Sequence, residues 1–116
     1  MMSRDRPLAV RFFRTAAGRE PVRVWLRSLD RTAKKVVGED IKTVQFGWPV
    51  GMPVVRKLDR DLWEVRSTLP DAIARVLFTV HAGTIVLLHG FMKKGQKTPK
   101  KDLTLAHNRL QLLQSG

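Results

Sequence analysis

RVLFTVHAGTIVLLHGF, residues 75–91, is the stretch on which the fold turns. Two β-prone apolar runs flank Ala82-Gly83. Gly accepts a positive φ without steric penalty, so two residues suffice to reverse the chain and the runs become an antiparallel hairpin. In this register His81 faces Thr84 and, counting back, Arg75 faces Gly90. A loop at residues 69–72 brings Arg66 near Arg75 from a preceding strand, Leu62 to Ser67. Paired residues point to the same side of a sheet. One face then carries Trp63, Val65, Val76, Phe78, Val80, Ile85, Leu87 and Phe91, a core face. The other carries Glu64, Arg66, Arg75 and Thr79 and reads as exposed. His89 falls on the core face, where a hydrogen-bonded structural role is expected.

The rest of the chain builds outward from this hairpin. Val54 to Leu58 reads as one more strand, joined to Leu62 to Ser67 by the polar turn Asp59-Arg60-Asp61. On the N-terminal side, Leu8 to Phe13 is a first strand, broken at Thr15-Ala-Ala-Gly18. Pro21 suits the first turn of a helix, and Val22, Trp25, Leu26 and Leu29 follow at i, i+3, i+4 and i+7. Asp30 can cap a second helix, in which Ala33, Val37, Ile41, Val44 and Trp48 trace one face. The short joint predicts an antiparallel helical hairpin. Gly47, Pro49, Gly51 and Pro53 end it. Thr98-Pro99 opens a closing helix to about Leu113, with an apolar stripe of Leu103, Ala106, Leu110 and Leu113. The expected fold class is α+β: a small twisted antiparallel sheet with an N-terminal helical hairpin and a C-terminal helix, one domain over residues 1–116.

Lys and Arg number 22 against 10 acidic residues, a formal charge of +12 on 116 residues. Solubility does not require so much, and the excess points to a polyanionic partner. There is no cysteine, which excludes disulfides, thiolate catalysis and Cys-ligated zinc. No apolar run approaches the ~20 residues of a membrane span, and MMSRDRPLAVRFF lacks the apolar core of a secretory signal. A cytoplasmic location is expected. No two histidines have metal-ligand spacing, so neither a metal nor a cofactor is expected. His81 sits in a turn and His107 on a helix. Trp25, Trp48 and Trp63 most simply pack the core.

The charge has a focus. Lys93, Lys94 and Lys97 follow the last strand and precede the last helix, so they stand on a rigid frame. Arg66 and Arg75, side by side, repel each other unless an anion binds between them or Glu64 neutralises one as a surface salt bridge. Lys57, one strand further out, can join them.

The helical segment PVRVWLRSLDRTAKKVVGEDIKTVQFGWPVGMPVVRKL, the strand pair LWEVRSTLPDAIARVLFTV, and IVLLHGFMKKGQKTPKKDLTLAHNRL with its Phe-x-Lys-Lys-x-x-x-Thr-Pro pattern together resemble the RelE/ParE toxin superfamily. Within it they are most similar to the HigB-like, phage-derived Gp49-like branch of type II toxin–antitoxin systems. The resemblance implies a RelE-like fold and a ribosome-dependent mRNA endonuclease that inhibits translation. In such enzymes the ribose 2′ hydroxyl attacks the adjacent phosphate. It further implies Arg66, Arg75 and Lys93 as catalytic residues, Lys57, Lys94 and Lys97 as RNA-binding residues, and a cognate antitoxin with a helix-turn-helix domain as partner. Many relatives carry a tyrosine or a histidine pair near the site. This chain has no tyrosine, so the general base stays open, with His89 and His107 as weak candidates. Two other functions share the fold or the charge: a non-nuclease toxin acting on a protein such as DNA gyrase, and a plain nucleic-acid-binding module.

Overall fold

The computed structural model describes residues 7–51, 53–95 and 97–115; the start of the N-terminal segment read above for a signal lies outside them. The elements are β1 (Ala9–Phe12), α1 (Pro21–Ser28), α2 (Arg31–Gly47), β2 (Val55–Asp59), β3 (Leu62–Thr68), β4 (Ile73–His81), β5 (Thr84–Lys93) and α3 (Lys100–Ser115). The strands form one sheet in the order β1-β5-β4-β3-β2. β2 to β5 are an antiparallel meander, as turn chemistry demands. Ala82 and Gly83 take φ of 51° and 73°, the two left-handed positions of a tight hairpin turn, and His81 pairs with Thr84.

The sheet is mixed, not antiparallel throughout, because β1 runs parallel to β5. A four-residue strand far from its partner in sequence has no turn to set its direction, so its orientation follows from how the two helices carry the chain across the sheet.

Those helices do not form a hairpin packed chiefly on itself. α1 lies over β5 and β1, while α2 lies over β3. Asp30 ends the joint as expected, its Oδ1 accepting from the Ala33 N–H at 2.8 Å. Val22, Val37, Ile41 and Val44 bury against Val65, Val76, Phe78, Ile85 and Leu87. Trp25, Trp48 and Trp63 all pack on this core, with Trp48 edge-on to Trp63 at 5.0 Å between ring centroids.

The opposite face is also a core. Leu62, Leu77, Val86 and Leu88 are buried there with Phe13 under Ala106 and Leu110 of α3. The expected exposed face is therefore covered. Each large aliphatic side chain so buried stabilises the fold by about 1.5–3 kcal/mol, which is what holds α3 in place.

One register detail decides what lies near α3. Arg75 pairs with Phe91, not Gly90, because a bulge at Leu88 separates the Leu77–His89 and Phe78–Leu87 pairs. The extra residue reverses the alternation of everything after it in β5. Phe91 joins the α3 core, and His89 meets Asp102 of α3; neither belongs to the face assigned from simple alternation. Gly90 now faces α1, where a Cβ would stand 2.4 Å from Trp25 Cε3. The carbonyl of bulged Leu88 accepts from Arg109 Nη1 at 2.8 Å.

Candidate nucleic-acid interface

The face under α3 is ordered in rows across the strands. Arg56, Glu64, Leu77 and His89 form one row; Arg66, Arg75 and Phe91 the next; Thr68, Ile73 and Lys93 the third. Arg66 and Arg75 are thus direct cross-strand neighbours, and Lys93 lies in the row beside them.

Glu64 stands between the two arginines and is no surface residue: it and Arg75 are both 0 % exposed. Its Oε1 accepts from Arg66 Nε at 2.7 Å, and its Oε2 accepts from Thr98 Oγ1 at 2.7 Å. Arg75 Nη1 approaches Oε2 at 3.8 Å. Arg75 Nη2 donates to the Gly95 carbonyl, while its Nε and Nη1 are buried without a hydrogen-bond partner. Burial holds the Arg75 guanidinium below its ordinary range; the Glu64 charge acts the other way, and Arg66 and Arg56 add to the depression. It stays charged at any physiological pH all the same. Glu64 is thus shared by Arg66 and Arg75, with Arg56 beside them.

The cations reach solvent by different routes. Arg66 opens into a cleft of about 490 Å³ that it shares with Asp40 and Val36 of α2. Lys93 and Lys94 line another, of about 500 Å³, with Phe91, Met92, Lys101 and Asp102. Arg75 is sealed beneath the β5–α3 connection, which Gly95 and Thr98 pin down. Lys97 is exposed and stands outside the lysine cleft. Lys57 is on the other face and exposed: its Nζ lies 5.8 Å from the Trp63 ring centroid.

Simple alternation puts Lys57 opposite Glu64, but a bulge at Leu58 moves Arg56 there instead. Arg56 is one cation that sequence reasoning missed. Lys101 was also missed; its signal was its place in the first turn of α3. His107 sits apart, Nε2 3.2 Å from Asp59 Oδ2. Among the described residues no group of three or more His, Asp or Glu could hold a metal ion, and no helix is long and apolar enough to cross a membrane.

This sheet, with its basic layer and lysine cleft, falls within a known family. The model of the phage-derived Gp49-like proteins (DUF891) matches residues 24–111. The chain belongs to that family. Gp49-like proteins fall in the RelE/toxin-like group and are commonly the toxins of toxin–antitoxin pairs. The matched span runs from α1 through most of α3 and so contains every cation of the interface. No curated protein matches the chain.

Proposed function

We propose that this Gp49-like protein is a HigB-like toxin of a type II system, a ribosome-dependent mRNA endonuclease neutralised by a helix-turn-helix antitoxin. The observation that carries the reading is Arg75: a fully buried guanidinium with two donor nitrogens left over, beside Arg66 and Arg56. Leaving such donors unmatched is expensive in a folded interior. A phosphate suits them, because a guanidinium fork matches its oxygens in geometry and charge.

In the proposed reaction the 2′ oxygen attacks the adjacent phosphorus. The bond from phosphorus to the 5′ oxygen breaks with its electron pair on that oxygen, leaving a 2′,3′-cyclic phosphate and a 5′ hydroxyl. Arg75 and Arg66 stabilise the charge that builds on the phosphoryl oxygens. Lys93, in the adjoining row, does the same from the cleft side, and Lys94 and Lys97 hold the flanking strand by charge. A phosphate reaches Arg75 by replacing the Gly95 carbonyl as its acceptor. Lys57, on the far face, serves wider ribosomal contact.

The test is brief induction of the wild type and of Arg66→Ala, with mRNA 5′ ends mapped on ribosomes. Arg66 is the accessible member of the pair, so its loss leaves Arg75 to anchor the loop. The wild type should produce new 5′ ends and growth arrest; Arg66→Ala should produce neither while staying folded. Arrest with intact mRNA and broken DNA would assign the chain to a gyrase-type target instead.

A further inference from the structure

The lysine cleft has a neighbour. Ala72 and Met92, which border it, also line a second cleft of about 450 Å³ beside the start of α2. Met92 and Lys93 are consecutive in β5, so their side chains leave the sheet on opposite faces. The two clefts therefore meet round the end of the sheet, where the β3–β4 loop and the start of α2 come together.

Their chemistry is opposite. Lys93, Lys94 and Lys101 line the first. Among the described residues no Lys or Arg lines the second, although the chain carries 22 of them. Its polar side chains are Asp30, Thr32 and Asp71, and Leu69 and Met92 give it apolar walls. Asp30 is committed to the cap of α2, where it accepts from the Ala33 N–H. Asp71 is exposed and makes no hydrogen bond or ion pair among the described residues. Two carboxylates repel a phosphate. A cationic side chain of a protein partner would suit them, but the adjoining lysines repel the segment that brings it. A nucleobase suits both clefts at once. It is flat and uncharged, and it arrives joined to a phosphate that the lysines attract.

We infer that the second cleft is a base subsite read by Asp71, and that the base it takes is guanine. The inference rests on the reading in which the lysine cleft holds single-stranded RNA, whose unpaired bases are free to be read on their Watson–Crick edges. An ionised carboxylate only accepts, so its two oxygens call for two donors side by side. Guanine alone has that pair on this edge, N1–H and the N2 amino group. Adenine and cytosine set an acceptor nitrogen beside their amino group, and uracil flanks N3–H with two carbonyls. The Thr32 hydroxyl can donate to O6, the remaining group of the guanine edge. Met92, 39 % exposed, offers the ring a thioether, which packs well on aromatic systems.

Short oligouridylates carrying a single guanosine, inosine, adenosine or cytidine test this off the ribosome, where binding is read apart from cleavage. Their affinities are measured by fluorescence anisotropy for the wild type and Asp71→Asn, with Tm alongside. The wild type should bind the guanosine strand roughly 5–150-fold more tightly than the all-uridine strand, the usual worth of a bidentate base contact. Inosine, which lacks the N2 amino group, should fall between the two. In Asp71→Asn the guanosine advantage should vanish, while the all-uridine strand binds no worse and Tm stays near wild type. Equal wild-type affinity for every strand overturns the inference alone. So does a preference for another base, or a guanosine preference that survives in Asp71→Asn. A wild type that binds none of the strands at low salt overturns the reading of the lysine cleft with it. Guanosine selectivity in a protein that leaves ribosome-bound mRNA whole would uphold the subsite and refute the nuclease.

Discussion

Gly90→Ala is the sharpest perturbation of the architecture that aims the site. A Cβ built at Gly90 meets three atoms of the Trp25 indole, at 2.4, 2.7 and 2.9 Å. All three separations lie under 3.0 Å, so either the ring or β5 must give way. The indole is a bulky rigid body wedged between α1 and the sheet, and overpacking of this kind costs about 2 kcal/mol. For a chain of this size that corresponds to a loss of roughly 6–12 °C in Tm. Thermal or urea unfolding of Gly90→Ala against wild type measures it. The same substitution in a Trp25→Leu background isolates the cause. With the indole gone the penalty should nearly vanish, because Ala is otherwise easier to order in a strand than Gly. An equal penalty in both backgrounds, or none in either, would refute the close approach as the reason for glycine here. The consequence reaches the interface too. If β5 relieves the clash by slipping one residue, Lys93 turns to the opposite face, and Gly90→Ala should then lose RNA cleavage more steeply than its stability alone dictates.

Two further outcomes follow from the arginine layer. Thr98→Val removes the hydroxyl that donates to Glu64 at almost constant volume; a hydrogen bond to a charged group contributes about 1.5–3 kcal/mol, so unfolding should show a loss near the lower figure and amide exchange at Gly95 should quicken. Arg56→Ala and Lys57→Ala, adjacent in sequence but on opposite faces, should part company: Arg56→Ala weakens RNA binding and lowers the salt slope by roughly 0.7, the share of one single-strand phosphate contact, whereas Lys57→Ala leaves both close to wild type in a filter-binding titration at several salt concentrations.

What the sequence disclosed and what it withheld divide along a physical line. The β4–β5 turn, the Asp30 cap and the pairing of Arg66 with Arg75 are set by residues close together in the chain, and each could be counted out. The bulges at Leu58 and Leu88 insert one residue without any compositional mark. Each reversed an alternation and exchanged one side chain for another: Arg56 for Lys57 opposite Glu64, and His89 and Phe91 from one core to the other face. The second core has a visible signal of its own. Val76-Leu77-Phe78 and Ile85-Val86-Leu87-Leu88 are unbroken apolar runs, the mark of strands covered on both sides, and the stripe on α3 was their cover. The direction of β1 had no signal at all.

The covering of that face changes what Arg66 and Arg75 mean. On an open surface their pairing would be a mild repulsion, easily screened. Beneath α3 and the β5–α3 connection the Arg75 guanidinium is fully buried with Nε and Nη1 unpartnered, and burial of a charge in this way is costly. Replacing buried ionic groups by well-packed apolar side chains is often neutral or stabilising, so a layer of this kind is weak evidence of a contribution to stability. Thr98, which could have capped α3, is instead turned onto Glu64, and Gly95 is held by Arg75. The arginines therefore organise the very connection that carries Lys93, Lys94 and Lys97. A polyanion entering the lysine cleft meets cations at its mouth and, one row beneath, donors that the protein itself does not satisfy. That gradient runs inward from the solvated Lys93, Lys94 and Lys101 to a sealed guanidinium, and it favours a phosphate over a carboxylate because only a phosphate has oxygens enough to engage the rim and the fork together.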